Sequence, residues 1–409
     1  MLSLLNYSIN SNKPTVVRSL KFLLLILFYI SSSAYVVAKD IPPFDNGPYA
    51  VGSSNVHIAK EFSQLSGQEM DRYLIGDNQN NERHFINEIL SEKNNSLLFN
   101  VTIPKEQSLY GDYSGLNLPV FIHVTYPTRT DNSREHYDFP YDRITDTRFE
   151  HMQRGDEKPI FANDKARYPL VFDSHGMNTH GFWSASTLTK FSSHGYIVAT
   201  VSYGDARLKI DEKENSTIRA HENIRPIIAK AALNFLLVHP DYMEHIDSTR
   251  IAATGHSLGG YTSLVLAGGQ YNVEGSVIKN VNVHAVIASA PWVGGKYQGV
   301  EYTSFGKKAI GLSHVKVPVL GLYGSKDAPL VRLQAFQQLS GPRYVIELVD
   351  QPHVYAQGSW QDQSNWTLLF LNAYLKGNKD ARKQLASAIS MQGGGIDKQK
   401  FDLQRLDIK

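Results

Sequence analysis

Ser257, Asp327 and His353 are the residues whose types and order could together carry chemistry. Ser257 is the centre of Gly255-His256-Ser257-Leu258-Gly259, a G-x-S-x-G pattern. A serine hydroxyl is a poor nucleophile near neutral pH. It needs a base to take its proton and an acid that orients the base and stabilises the resulting imidazolium. By chance such a pattern arises roughly 0.1 times in a chain of this length at average residue usage, so its context has to carry the assignment. Residues 251–254, Ile-Ala-Ala-Thr, read as a short apolar strand, and the small and aliphatic residues after Gly260 read as a helix. A serine on a strained strand-to-helix turn is lifted clear of the sheet. Glycines on either side leave room for neighbouring backbone, and the following helix presents free N–H groups and its positive dipole end to developing negative charge.

In a strand-turn-helix site of this kind the acid comes next in the chain and the histidine last, each on a loop leaving the C-terminal end of a strand. Asp327 lies just past the strand 319–323, in Tyr323-Gly324-Ser325-Lys326-Asp327, and His353 just past the strand 344–349. Asp350 is the competing acid, but it precedes His353 by three residues and would point from the same loop. The oxyanion formed on attack needs two backbone N–H donors. Leu258, next after the serine, supplies one. The loop His175-Gly176-Met177 supplies the other through the Met177 N–H, with Gly176 letting the backbone approach. His175 reads as a structural hydrogen-bonder rather than a second base, and His256 as turned away from the serine hydroxyl. Phe182, Trp183 and Trp292 are candidates to line an acyl or alcohol pocket; the alternative is that such aromatics only rim the core.

The elements that must position these residues follow one another in alternation. Segments 97–103 and 118–126 read as two early antiparallel strands, the second ending at Pro127. Apolar strands follow at 168–174, 196–201, 283–290, 318–323 and 344–349, with helices at 182–193, 224–238, 332–339 and 364–375. Near-continuous apolar strands alternating with helices predict an α/β fold, a mostly parallel central sheet covered by helices on both faces. The charged, aromatic-dotted stretch 128–167 is an insertion that either edges the site or is a surface excursion. The domain plan is a leader over 1–38, an N-terminal extension over 39–92, one catalytic domain over 93–390 and a tail over 391–409.

The leader reads as a secretory signal. It carries Lys13, Arg18 and Lys21, an apolar run over 22–30 and a small-residue exit at Val36-Val37-Ala38. The rival is an uncleaved anchor, but that run is short of the ~20 apolar residues a spanning helix needs. The whole chain of 409 residues has 41 bases and 39 acids, and without the three leader bases the balance is about −1. Nothing in that balance calls for a nucleic-acid partner. The absence of cysteine suits a bacterial envelope or medium better than a disulfide-stapled secreted domain. No H-E-x-x-H, P-loop or dinucleotide fingerprint is present, so no metal or cofactor is expected.

Four stretches carry a family resemblance: 47–52 with 118–127, His175-Gly176 followed by Ser193-His194-Gly195-Tyr196, the Gly255–Gly260 elbow, and 317–327 with His353. Together they resemble the α/β-hydrolase superfamily, in the group of dienelactone-hydrolase-like proteins, bacterial cutinase-like polyesterases and platelet-activating-factor acetylhydrolases. In the animal acetylhydrolases the acid follows the strand right after the nucleophile helix. That place here reads Ser289-Ala290-Pro291-Trp292, without a carboxylate. Asp327, one strand later, is similar to the cutinase and dienelactone-hydrolase arrangement. The resemblance implies a serine hydrolase of carboxylic esters, with a small-molecule or lipid ester as substrate, and the leader makes it a secreted or periplasmic one. The alternatives are a lipase or phospholipase acting on lipid esters, and a catalytically silent scaffold that only binds.

Overall fold

The computed structural model describes residues 43–54, 97–139, 147–154, 157–203, 216–271, 281–297, 300–327, 329–355, 359–387 and 399–402. All of them lie in the unit Lys39–Lys409. The expected leader, most of the 39–92 extension and most of the tail fall outside these residues.

One ten-stranded sheet organises the molecule. Its strands are β1 (Ala50–Ser53), β2 (Leu98–Thr102), β3 (Asn117–Thr128), β4 (Tyr168–Ser174), β5 (Ile197–Ser202), β6 (Ile246–His256), β7 (Ala285–Ser289), β8 (Val319–Gly324), β9 (Arg343–Leu348) and β10 (Gln399–Asp402). The order across the sheet is β1-β3-β5-β4-β6-β7-β8-β9-β10, with β2 sharing the β1 edge of β3. Strands β5 to β9 in that order are parallel. The flanks β1, β2, β3 and β10 run antiparallel. β3 continues through Pro127 to Thr128, opposite β1, rather than stopping at the proline. Pro169 in β4 has no N–H to give, and the β4–β6 register shifts there.

The central strands are buried on both faces, as parallel strands under helices must be. One face packs against α2 (Ser216–Leu237), α3 (Leu258–Leu266) and α4 (Pro329–Gln337), through residues such as Ile224, Leu264 and Phe336. The other packs against α1 (Ala185–Ser193), α5 (Ser359–Tyr374) and α6 (Lys379–Ser387), through Leu188, Trp366 and Leu385. Side chains alternate between the faces, so Leu170 and Phe172 point one way and Val171 the other.

The helix expected from 224 begins eight residues earlier, at Ser216, and runs through Pro226. Proline cannot bond the carbonyl four residues back. Here that carbonyl, Glu222 O, accepts the Tyr261 hydroxyl instead at 3.1 Å, which lets the helix pass. The insertion 128–167 holds a short hairpin, Tyr137–Phe139 with Thr147–Phe149. Its Phe149 and Phe161 are buried in the core. None of its described residues lines the cleft around Ser257. Among the described residues no helix is long and apolar enough to cross a membrane.

Candidate active site

Ser257 sits between β6 and α3 with φ 56° and ψ −119°, a conformation L-residues avoid. The surrounding bonds hold it there. Its N–H donates to Ser289 O at 2.9 Å, and its carbonyl accepts the N–H groups of Trp292 at 2.8 Å and Tyr261 at 3.1 Å. The flanking glycines are sterically required. A methyl at Gly259 would overlap Ser174 O, and one at Gly255 would lie 2.6 Å from the same oxygen. Gly176 is different. A Cβ there would make only ordinary contacts, at 3.5 Å and beyond, with His256 and Ser257.

The turns after β8 and β9 bring the acid and the base to this serine. His353 Nε2 lies 2.9 Å from Ser257 Oγ, and His353 Nδ1 lies 2.7 Å from Asp327 Oδ2. With Nδ1–H donating to the carboxylate, Nε2 is left as the acceptor for the serine proton. The two turns are bonded to each other. Ser325 N–H donates to Leu348 O at 3.0 Å, Lys326 N–H to Gln351 O at 2.9 Å, and Asp350 N–H to Ser325 Oγ at 2.7 Å. Asp350 itself points to solvent, 3.8 Å from Lys326 Nζ.

Arg332, on α4, is a partner that sequence reasoning missed. Its guanidinium is buried against the equally buried Asp327, with Nη1 3.0 Å from Oδ1. It also donates to Asp327 O at 2.7 Å and Pro291 O at 3.2 Å. Its Nη2 is 3.3 Å from His353 Nδ1, but both nitrogens are donors once Nδ1–H is engaged with Asp327, so that approach is packing. Arg332 thus takes one carboxylate oxygen and leaves the other for the histidine. His256 donates from Nε2 to His353 O at 2.8 Å and so fixes the base's backbone. Burial, then the neighbouring His353, pull His256 down to about 4, so it stays neutral.

The loop after β4 lies across the cleft from these groups. Tyr203 N–H donates to His175 Nε2 at 3.2 Å, which requires the proton on Nδ1, and Nδ1 donates to Gly176 O at 2.7 Å. His175 is therefore a structural residue with a fixed tautomer. Arg225, fully buried on α2, donates to His175 O at 2.7 Å and Gly176 O at 3.0 Å and lies 4.1 Å over the Tyr203 ring. The N–H groups of Met177 and Leu258 have no hydrogen-bond acceptor among the described residues. Both Met177 and Ser257 line the cleft, a space of about 100 Å³.

The three aromatic candidates separate. Trp183 lines the cleft. Phe182 is turned into the core, edge-on to Phe149 and His123 at 5.8 and 5.2 Å, and is not a cleft residue. Trp292 also lies outside the cleft lining. Its indole N–H donates to Glu222 Oε1 at 2.6 Å, an oxygen that the Ser304 hydroxyl shares, which pins the segment after β7 to α2.

Residues 150–303, under half of the chain, match the family model described as Chlorophyllase. Those residues hold β4 to β7, the loop at His175 and the Ser257 elbow. The chain is an ester hydrolase of the α/β-hydrolase type. No curated protein matches it.

Proposed function

We propose that this hydrolase is a serine esterase acting on small carboxylic esters. The observation that carries the reading is the unbroken chain from Asp327 Oδ2 through His353 to Ser257 Oγ, at 2.7 and 2.9 Å. His353 Nε2 takes the hydroxyl proton as Ser257 Oγ attacks the ester carbonyl, and Asp327 holds the imidazolium. The oxyanion is met by the N–H groups of Leu258 and Met177, each worth roughly 3–4 kcal/mol of barrier. His353 then gives its proton to the departing alcohol, and water resolves the acyl-enzyme by the same route. The leader over 1–38 makes this an exported enzyme, secreted or periplasmic.

The size of the cleft favours small esters. About 100 Å³ is well below the ~300–1,000 Å³ typical of pockets that enclose drug-sized ligands. The family's name points to chlorophyll, and a lipid ester is the other large alternative. Either would have to lie mostly outside this space. Hydrolysis of a p-nitrophenyl ester series from acetate to palmitate by the mature chain and its Ser257→Ala variant tests the reading. The expected result is a short-chain optimum lost in the variant. An optimum at palmitate would make the enzyme a lipase, and no activity on any ester would favour a binding scaffold.

A further inference from the structure

The cleft beside Ser257 has a floor that the ester mechanism does not use. Asp173, near the end of β4, lies in register with Thr200 on β5 and Thr254 on β6, so three polar side chains sit side by side across three central strands. Two residues earlier on each strand the same face carries Val171, Val198 and Ala252, again in register and packed into the apolar core under α1 and α5. The sheet therefore changes from apolar to polar where it meets the cleft.

Asp173 is 8% exposed and is the acidic residue among those lining this cleft. Its carboxylate accepts the Ser174 N–H, and no side chain among the described residues hydrogen-bonds to it. A carboxyl buried with so few partners is costly to keep. Burial pushes it up to about 7. The open side of this carboxyl is the cleft itself. The chain leads from Asp173 through Ser174 to the 175–177 loop, the loop that would hold the acyl carbonyl bonded to Ser257.

We propose that Asp173 is a specificity residue that accepts a hydrogen bond from a donor, a hydroxyl or an ammonium, on the acyl chain of a short ester bound at Ser257. The inference rests on the serine-esterase reading above. It places the substrate among short esters of hydroxy or amino acids, with Trp183 forming part of the wall around the chain. A plain alkyl chain in the same place would cover the carboxyl without pairing it, and a site built to bond a donor rejects such an isostere strongly.

Three methyl esters of one chain length test this: methyl 3-hydroxypropionate, the methyl ester of β-alanine and methyl butyrate, which end in hydroxyl, ammonium and methyl. The readout is kcat/KM for each donor ester divided by that for methyl butyrate, compared between wild type and variants so that intrinsic reactivity cancels. In Asp173→Leu at least one of the two ratios should fall about tenfold or more, the scale of one hydrogen bond to a charged or buried acceptor, and the ratio that falls identifies the donor. Asp173→Asn keeps an acceptor oxygen but not the charge, so a hydroxyl preference should persist in it and an ammonium preference should collapse. If the leucine variant does not fold, Asp173→Ala, which removes both carboxyl oxygens without adding bulk, is read in its place. A wild type that prefers neither donor ester, or an ammonium preference that survives asparagine, overturns the proposal. Ratios that are the same in wild type and Asp173→Leu, with hydrolysis still lost in Ser257→Ala, overturn the Asp173 inference alone. Hydrolysis that survives Ser257→Ala overturns the esterase reading and this inference with it.

Discussion

Replacing Arg225 with methionine removes a buried fork of hydrogen bonds from the loop that carries Met177, and leaves the triad untouched. Arg225 donates to His175 O at 2.7 Å and to Gly176 O at 3.0 Å. In the variant Gly176 O keeps the Thr179 hydroxyl at 3.0 Å and the His175 Nδ1–H at 2.7 Å. His175 O loses the guanidinium. Loss of a buried hydrogen bond from a charged donor costs about 1.5–3 kcal/mol, and the loop can recover part of that by moving toward solvent or a nearby donor. Such movement displaces the Met177 N–H. Complete loss of an oxyanion donor costs about 10²–10³ in kcat, so partial displacement should lower kcat about 10- to 100-fold while KM changes little, because the interaction is made in the transition state. Arg225→Lys should fall between wild type and methionine, since an ammonium cannot reproduce the planar fork. The assay is steady-state hydrolysis of p-nitrophenyl acetate, well below each variant's melting midpoint so that unfolding does not contribute. A methionine variant with kcat within twofold of wild type, or one whose whole loss lies in KM, would refute this account of the loop.

Three other perturbations follow from the same geometry. Asp327→Asn should lower kcat by about 10³–10⁴, on the scale known for such triads, whereas Asp350→Asn, at a carboxylate 74% exposed, should stay within about twofold; similar losses in both would mean the acid has been misassigned. Gly259→Ala puts a methyl into Ser174 O and should abolish activity with a large drop in melting temperature, while Gly176→Ala, whose methyl meets only ordinary contacts, should melt close to wild type. His256 and His123 are held down to about 4 and about 3, both mainly by burial. The unfolded chain therefore takes up their protons first, and their contribution to stability is full above about pH 6.5 and is lost as pH falls toward 4. Asp173, raised to about 7, has the opposite sign, with stability present near pH 4 and lost as pH rises through 7. Urea midpoints at pH 7, 5.5 and 4 should show a shallower acid loss in His256→Gln and a steeper one in Asp173→Asn; unchanged slopes would contradict these assignments.

The sheet and the hydrogen-bonded chain of Asp327, His353 and Ser257 were legible because each left a local pattern. The elbow glycines surround Ser257 in sequence, and Asp327 and His353 each follow an apolar strand, so chain order alone placed them. Arg225 and Arg332 left no such mark. Both are charged residues on helices, where the ordinary reading is a solvated face, and only the packing of α2 and α4 onto the loops turns them inward. Phe182 and Trp292 lie outside the cleft lining for a related reason: an aromatic next to such a loop can point to either side of it, and the hydrogen bond to Glu222 and the contact with Phe149 are made with distant parts of the chain. The start of α2 was missed because Pro226 cannot serve Glu222 O, and the donor that does, Tyr261, is 39 positions further along the chain.

The most direct test of the central claim is covalent. Incubation of the mature protein with diisopropyl fluorophosphate, followed by peptide mass spectrometry and a parallel ester assay, should place one adduct on Ser257, with ester hydrolysis lost in step with labelling. The Ser257→Ala protein should remain unlabelled, and His353→Ala should label far more slowly. Labelling at another residue, or full hydrolysis with Ser257 modified, would contradict the account.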